Sequence, residues 1–263
     1  PAVLVDAAVT VDALVFNQHN LSRQAVSVLL FVPAGVPVAI ETPAPTDPFA
    51  APARPVASLL QFERGVRFGH RVHVRGQVLH HEPGRALWIR DGERGLRVAT
   101  SQSDRLQPGE VVSVVGFPEQ GTFTPRLVDA TFRKFAGGAE PSGFRPADTR
   151  VAIVHDSDLI TLEARLVELR RTDEGTALVL DWQGALVSVS LPLAGDAAIP
   201  ASWKPGAAVL ATGLCSVPAD EAGRASGTWE PRSFELRLRT AADLRVLHQA
   251  PWWNRQRVFW ALA

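Results

Sequence analysis

Four of the seven histidines, His70, His73, His80 and His81, fall within twelve residues. Imidazole is a common zinc or copper ligand, so a metal site is the first chemistry to test. Side chains alternate along an extended strand, which sets His73 and His81 on one face and His70 and His80 on the other. No cysteine is near, and Glu82 is the one adjacent carboxylate. Solvated strand histidines are expected here, with no metal and no cofactor. A second group, His155, Asp156 and Asp158, looks like a fragment of a hydrolase metal motif. No further histidine cluster completes it, and turn and capping chemistry accounts for an Asp-Ser-Asp sequence. Asp173 and Glu174 read as the solvated tip of a hairpin loop. Neither a Gly-x-Ser-x-Gly elbow nor a Gly-x-x-x-x-Gly-Lys loop is present. No catalytic residue is assigned, and this region is not expected to be an enzyme.

Tryptophan and arginine are the better binding candidates. Trp88, Arg90, Arg97 and Phe123 lie in one part of the chain, and Trp182 and Trp229 in another. A tryptophan beside an arginine suits stacking on a sugar or a base. The alternative is that these aromatics close barrel ends or pack one module on another. Of 27 cations, only Lys134 and Lys204 are lysine, and they are balanced by 27 carboxylates. A net charge of zero argues against nucleic acid as a partner. The lone cysteine, Cys215, sits in an apolar strand-like run and reads as packing.

The elements that position these residues are short alternating segments rich in valine, leucine and arginine, broken by glycine and proline. This pattern predicts an all-β chain. Residues 41–55 carry five prolines up to Arg54-Pro55 and read as a linker. Five strands follow: 70–81 with a bend at Gly76, the hairpin 86–90 and 96–100, then 111–116 and 127–135. That order describes a small Greek-key barrel of the OB type. The same order recurs from Thr161 to Arg239, with a face switch near Leu166 and Val167 and with Trp203-Lys204-Pro205-Gly206 in the place of Leu106-Gln107-Pro108-Gly109. LLFVPAGVPVAI (29–40) aligns with LRLRTAADLRVL (236–247), so the chain opens on the end of a third such unit. The expected division is therefore tandem OB-like five-stranded Greek-key barrels. Residues 1–40 are a C-terminal remnant of one, 41–56 a linker, 57–136 a middle module, 137–248 a final module and 249–263 a juxtamembrane segment.

The ending PWWNRQRVFWALA (251–263) carries that last expectation. Trp252, Trp253, Arg255, Arg257 and Trp260 suit the water–lipid boundary, where amphipathic rings and snorkelling cations are both satisfied. The apolar tail reads as the first turn of a membrane helix. Tandem OB-like modules, Pro-Gly turns before strand four, the LRLRTAADLRVL ending and the Pro-Trp-Trp exit together resemble the extracytoplasmic region of bacterial membrane-bound sensor histidine kinases, or of related diguanylate cyclases. The resemblance implies a periplasmic signal-input region at the cell membrane. Such a region binds an unknown small ligand or extracytoplasmic protein, and a homodimer is compatible with it. The kinase parts themselves are absent from these residues. A single-stranded nucleic-acid-binding OB protein and a structural spacer are the alternatives.

Overall fold

A computed structural model describes residues 4–19, 25–59, 61, 69–173, 175–192, 199–219 and 230–249. The middle barrel is built from β5 (Val72–Glu82), β6 (Ala86–Asp91), β7 (Arg94–Ala99), β8 (Val111–Gln120) and β9 (Pro125–Ala136). It closes in the order β5-β6-β7-β9-β8. The first strand is long because it serves two edges. Val72 to Gln77 pair with β8, while Gln77 to Glu82 pair with β6 across a register shift at Val78/His80. Gly76 stands at the bend, where a Cβ would press on the Arg90 carbonyl and the Ile89 side chain. A short parallel pairing of β7 with β9 closes the barrel. Val74, Val78, Ile89, Leu96, Val98, Val112, Val114 and Leu127 fill its core.

The second barrel repeats this plan with β10 (Leu159–Thr172), β11 (Gly175–Trp182), β12 (Ala185–Pro192), β13 (Ala208–Ser216) and β14 (Glu235–Arg237). Its long strand β10 pairs with β13 up to Arg165 and with β11 beyond it. The register shift falls between Leu166 and Glu168, where the alternation of the sequence changes face. The fifth strand is interrupted: β14 and then β15 (Leu244–His248) both pair with β13, separated by a single 3-10 turn at Ala241–Asp243. The structure therefore has two closed five-stranded barrels of the OB type in tandem. Near the N-terminus, β1 (Ala8–Val11) pairs with β4 (Val38–Thr42) and β2 (Leu14–His19) with β3 (Ala25–Phe31). This is the arrangement that β13 makes with β15 and β14.

Residues expected to form a linker pack against the middle barrel. The Arg54 amide donates to the His73 carbonyl at 2.8 Å, and the Val56 amide donates to Asp91 at 2.9 Å. Val56 and Leu59 are buried in the barrel core. This strap also changes the histidine reading. His73 is buried rather than solvated, with Nδ1 donating to the Ala51 carbonyl at 2.6 Å. His70 Nδ1 lies 2.9 Å from Asp6. Alternation alone could not reveal that residues 43–54 would cover this end of β5.

The barrels meet through side chains that belong to neither core. Leu79, Ala86 and Trp88 of the first pack with Leu159 and Leu214 of the second. Helix α1 (Thr149–Val154), capped by Asp148 accepting from the Val151 amide, leads into this joint. Gly95 sits at its tightest point, where any Cβ would overlap the Ser157 carbonyl and the Asp158 amide. Gly95→Ala is expected to destabilise the protein by about 1–3 kcal/mol through overpacking. Denaturant unfolding would measure this, and a wild-type midpoint would show that the joint can yield.

Candidate functional site

Strand β6 presents Ile89 to its own barrel and Trp88 and Arg90 to the second, as alternation requires. All three nitrogens of the Arg90 guanidinium are engaged. Its Nε donates to Asp158 at 2.6 Å, one terminal nitrogen donates to the Ser142 carbonyl at 2.9 Å, and the other donates to the Leu159 carbonyl at 3.1 Å. The Asp158 carboxylate, with its side chain 2% exposed, also accepts from the Leu159 amide. His155 Nδ1 lies 3.1 Å from its other oxygen. Phe144 stacks on His155 at 3.8 Å between ring centroids. Asp156 accepts from the Val217 amide and from the Thr124 amide and hydroxyl. Burial raises its pKa, against the lowering effect of those hydrogen bonds. The His-Asp-Ser-Asp sequence is thus the mortise of the inter-barrel joint, with Asp158 held by the first barrel's Arg90 and Asp156 by its Thr124.

Beside the joint lies a groove. One part, about 160 Å³, is lined by Glu82, Arg85, Trp88, Arg97, Leu214 and Arg237 among others. A second part, about 580 Å³, shares Arg85 and Arg237 and extends over Thr172, Thr176 and Ser190. Arg237 pairs with Glu82 and Arg85 lies 3.6 Å from it. Among the described residues, Arg97 has no carboxylate within ion-pair distance and instead faces the Trp88 ring at 5.8 Å. Burial first, then the charges of Arg126, Arg85 and Arg237 with Glu82 opposing them, holds the Arg97 guanidinium below the usual arginine range. Three arginines and one carboxylate line a concave surface, which is an electrostatic setting for an anion.

The sequence candidates divide accordingly. Trp88, Arg90 and Arg97 come together, but only Arg97 is available to a ligand. Trp88 is 7% exposed, with Arg97 and Arg237 each 5.8 Å from its ring. Phe123 packs against the second barrel's core, and Trp182 is buried there edge-on to Phe234. Trp229, Trp252, Trp253, Arg255, Arg257 and Trp260 lie outside the described residues. Sequence reasoning missed Arg85 and Arg237. The alternation of Leu236, Arg237 and Leu238 marks Arg237 as outward-facing, but nothing local shows that it meets Arg85 and Arg97.

Neither a protein family nor a curated protein sequence matches this chain. Several solved structures align with it. The HINa domain of Ifi202 in complex with 20-base-pair double-stranded DNA is 9% identical over 68% of this chain and 96% of that one, with a TM-score of 0.32. A murine DNA-binding protein bound to double-stranded DNA is 9% identical over 69% and 98%, with a TM-score of 0.35. The first HIN domain of p202 in complex with a 12-mer duplex is 10% identical over 57% and 85%, with a TM-score of 0.31. At scores of this size the likeness carries no argument about what this chain binds. None of the three is a membrane sensor region, and no helix among the described residues is long and apolar enough to cross a membrane. The sensor-kinase input function and its periplasmic, membrane-held location find no support among the described residues or in these alignments and are not carried further. The expectation against nucleic acid is withdrawn, because it rested on the total charge while the cations of the groove are in local surplus.

Two outcomes test this joint. Asp158→Asn leaves Arg90 buried without its counter-charge and is expected to cost about 3–5 kcal/mol in chemical denaturation. The paired change Arg90→Leu with Asp158→Leu is expected to recover most of that loss. His80, beside Trp88, has its pKa lowered from 6.5, chiefly by burial, with Glu82 opposing and Arg237 and Arg239 adding to the effect. The unfolded chain then binds this proton more readily than the fold does, so stability falls as pH drops from 6.5 through the lower folded value. His80→Gln is expected to flatten that acid slope in unfolding midpoints measured against pH.

Proposed function

We propose that the two-barrel body binds nucleic acid through its sugar–phosphate backbone, in the arginine-lined groove between the barrels. The observation that carries this reading is the grouping of Arg85, Arg97 and Arg237 against the single carboxylate of Glu82, with Arg97 lacking an ion-pair partner among the described residues. The exposed hydroxyl of Ser190 continues the lining and offers a further donor to phosphate oxygens. Backbone affinity depends on local cations that release counterions, not on the charge of the whole chain. Because Trp88 is enclosed between Arg97 and Arg237, no base stacks on it in this arrangement. Phosphate and sugar contacts carry no sequence information, so binding is expected to be indifferent to sequence.

Fluorescence anisotropy with labelled oligothymidylate and with a mixed-sequence single strand, over a range of salt, tests the reading. Both strands are expected to bind with similar affinity. Arg85→Ala together with Arg97→Ala is expected to shallow the salt dependence by about 1.4 in log K against log salt, since each single-stranded phosphate contributes about 0.7. Absence of binding at low salt and micromolar protein, or an unchanged slope in the double variant, would refute it.

A further inference from the structure

The two parts of the inter-barrel groove differ in shape. The larger, about 580 Å³, is the more open, and the smaller, about 160 Å³, is the more enclosed. Arg85 and Arg237 line both and so stand where the parts join. The smaller part lies below the roughly 300 Å³ at which pockets accept a drug-sized molecule. At roughly 30 Å³ per water it has the room of about five waters, enough for a phosphoryl group but not for a nucleoside.

The charges converge on this smaller part. Glu82 accepts from Arg237 through one carboxylate oxygen, and Arg85 lies 3.6 Å from the other. The guanidinium carbons of Arg97 and Arg237 each stand 5.8 Å from the centre of the Trp88 ring, which forms part of the wall. All three cations reach solvent. The Arg85 side chain is 71% exposed and that of Arg237 29%, and Arg97 is half-buried. Three positive charges against one negative leave a surplus of two. Arg85 and Arg237 also repel the Arg97 cation, so an anion among them relieves that repulsion. An internal phosphodiester carries one negative charge and needs chain entering and leaving. A terminal phosphomonoester carries about −1.5 to −2 at neutral pH and has chain on one side only. The surplus and the enclosure of the smaller part both match the second.

We propose that the smaller part of the groove is an end site, which takes the terminal phosphomonoester of a nucleic-acid strand, while the larger part carries the nucleotides that follow. The three guanidiniums donate to the phosphate oxygens, and the exposed Ser216 hydroxyl at the rim adds a neutral donor. This inference rests on the nucleic-acid reading of the same groove and adds to it a preference for phosphorylated ends. The chemistry is common to a 5′ and a 3′ phosphate.

Four oligothymidylates labelled on an internal base test it by fluorescence anisotropy at low salt. One has a 5′ phosphate, one a 3′ phosphate and one hydroxyls at both ends. The fourth is a hydroxyl-ended strand two nucleotides longer, which matches the total charge of the phosphorylated strands. At about pH 8, at least one phosphorylated strand is expected to bind roughly tenfold or more tighter than the charge-matched one, a difference of about 1.4 kcal/mol. The end that gains gives the polarity of the strand in the groove. Lowering the pH to about 5, below the phosphomonoester pKa of about 6, is expected to shrink the advantage. Arg97→Gln, and separately Arg85→Gln on an exposed side chain, are each expected to remove most of it while the hydroxyl-ended strands still bind. Equal affinity of the phosphorylated and charge-matched strands would overturn the end site and leave the nucleic-acid reading standing. So would an advantage that survives both substitutions. No binding of any strand would overturn both readings.

Discussion

A carboxylate removed from water must be neutralised by hydrogen bonds and an opposite charge, or the fold cannot hold it ionised. Asp158 is nearly fully buried between two barrels, and Arg90 of the other barrel meets it at 2.6 Å. Its two terminal nitrogens donate to the Ser142 and Leu159 carbonyls, so the pair fixes an orientation as well as a distance. Gly95 allows the backbone at Ser157 to approach closely enough for this geometry. Leu79, Trp88, Leu159 and Leu214 then exclude water around it. Thr124 on Asp156, Arg94 on the Val154 carbonyl and Arg237 on Glu82 fasten the same joint at further points. The face of β6 and β7, which in a solitary OB barrel is open to ligands, is partly covered here, and what stays open is the groove at its margin.

The charge of that groove is a consequence of how the ion pairs are distributed. With 27 cations and 27 carboxylates, the chain as a whole offers no field to steer an anion. Arg90 and Arg239 are engaged by Asp158 and Asp243, and Arg126 by Glu119. Glu82 is shared between Arg85 and Arg237 and cannot neutralise both. Arg97 is left to the Trp88 ring. At physiological salt, charges more than about 8 Å apart on the surface are largely screened. An approaching phosphate therefore senses this cluster rather than the balanced total, which is why net charge was a poor guide.

The barrels themselves were legible in the sequence because their signals are local. Gly76 marks the bend of β5, the Asp91–Arg94 hairpin announces its turn, and the face switch near Leu166 falls at the register shift of β10. The repeat of one Pro-Gly turn before strand four tied the second barrel to the first. What could not be read was where outward-facing residues go. Alternation says that Trp88 and Arg90 leave their own core, but it does not say that a second barrel receives them. His155, Asp156 and Asp158 read locally as turn and cap chemistry, and their work as a joint depends on Arg90 and Thr124, more than 30 residues away. His73 was misjudged for the same reason, since the strap that buries it lies about twenty residues upstream. The tryptophan-rich ending invited a membrane reading through composition alone, and composition cannot distinguish a lipid boundary from other partners of an amphipathic ring.

Strand β5 runs from the end covered by the proline-rich strap, with His73 near its start, to the groove, with Glu82 at its end. Nine residues of extended chain separate them, about 30 Å of contour at roughly 3.3 Å per residue. That strand is held on both edges, by β8 along its first half and by β6 along its second, and its register changes at one fixed place. Coupling between distant sites needs an element with two arrangements that both ligands bias. Each half of β5 has one strand partner, β8 for Val72 to Gln77 and β6 for Gln77 to Glu82, and the two pairings meet at the glycine bend. The strap-covered end of β5 and the groove share no lining residue, and substitutions at places more than about 10 Å apart without shared partners are expected to add rather than couple. At the joint between the barrels, the Arg90–Asp158 contact, Thr124 on Asp156 and the apolar group around Trp88 act together, so the groove beside it depends on all three.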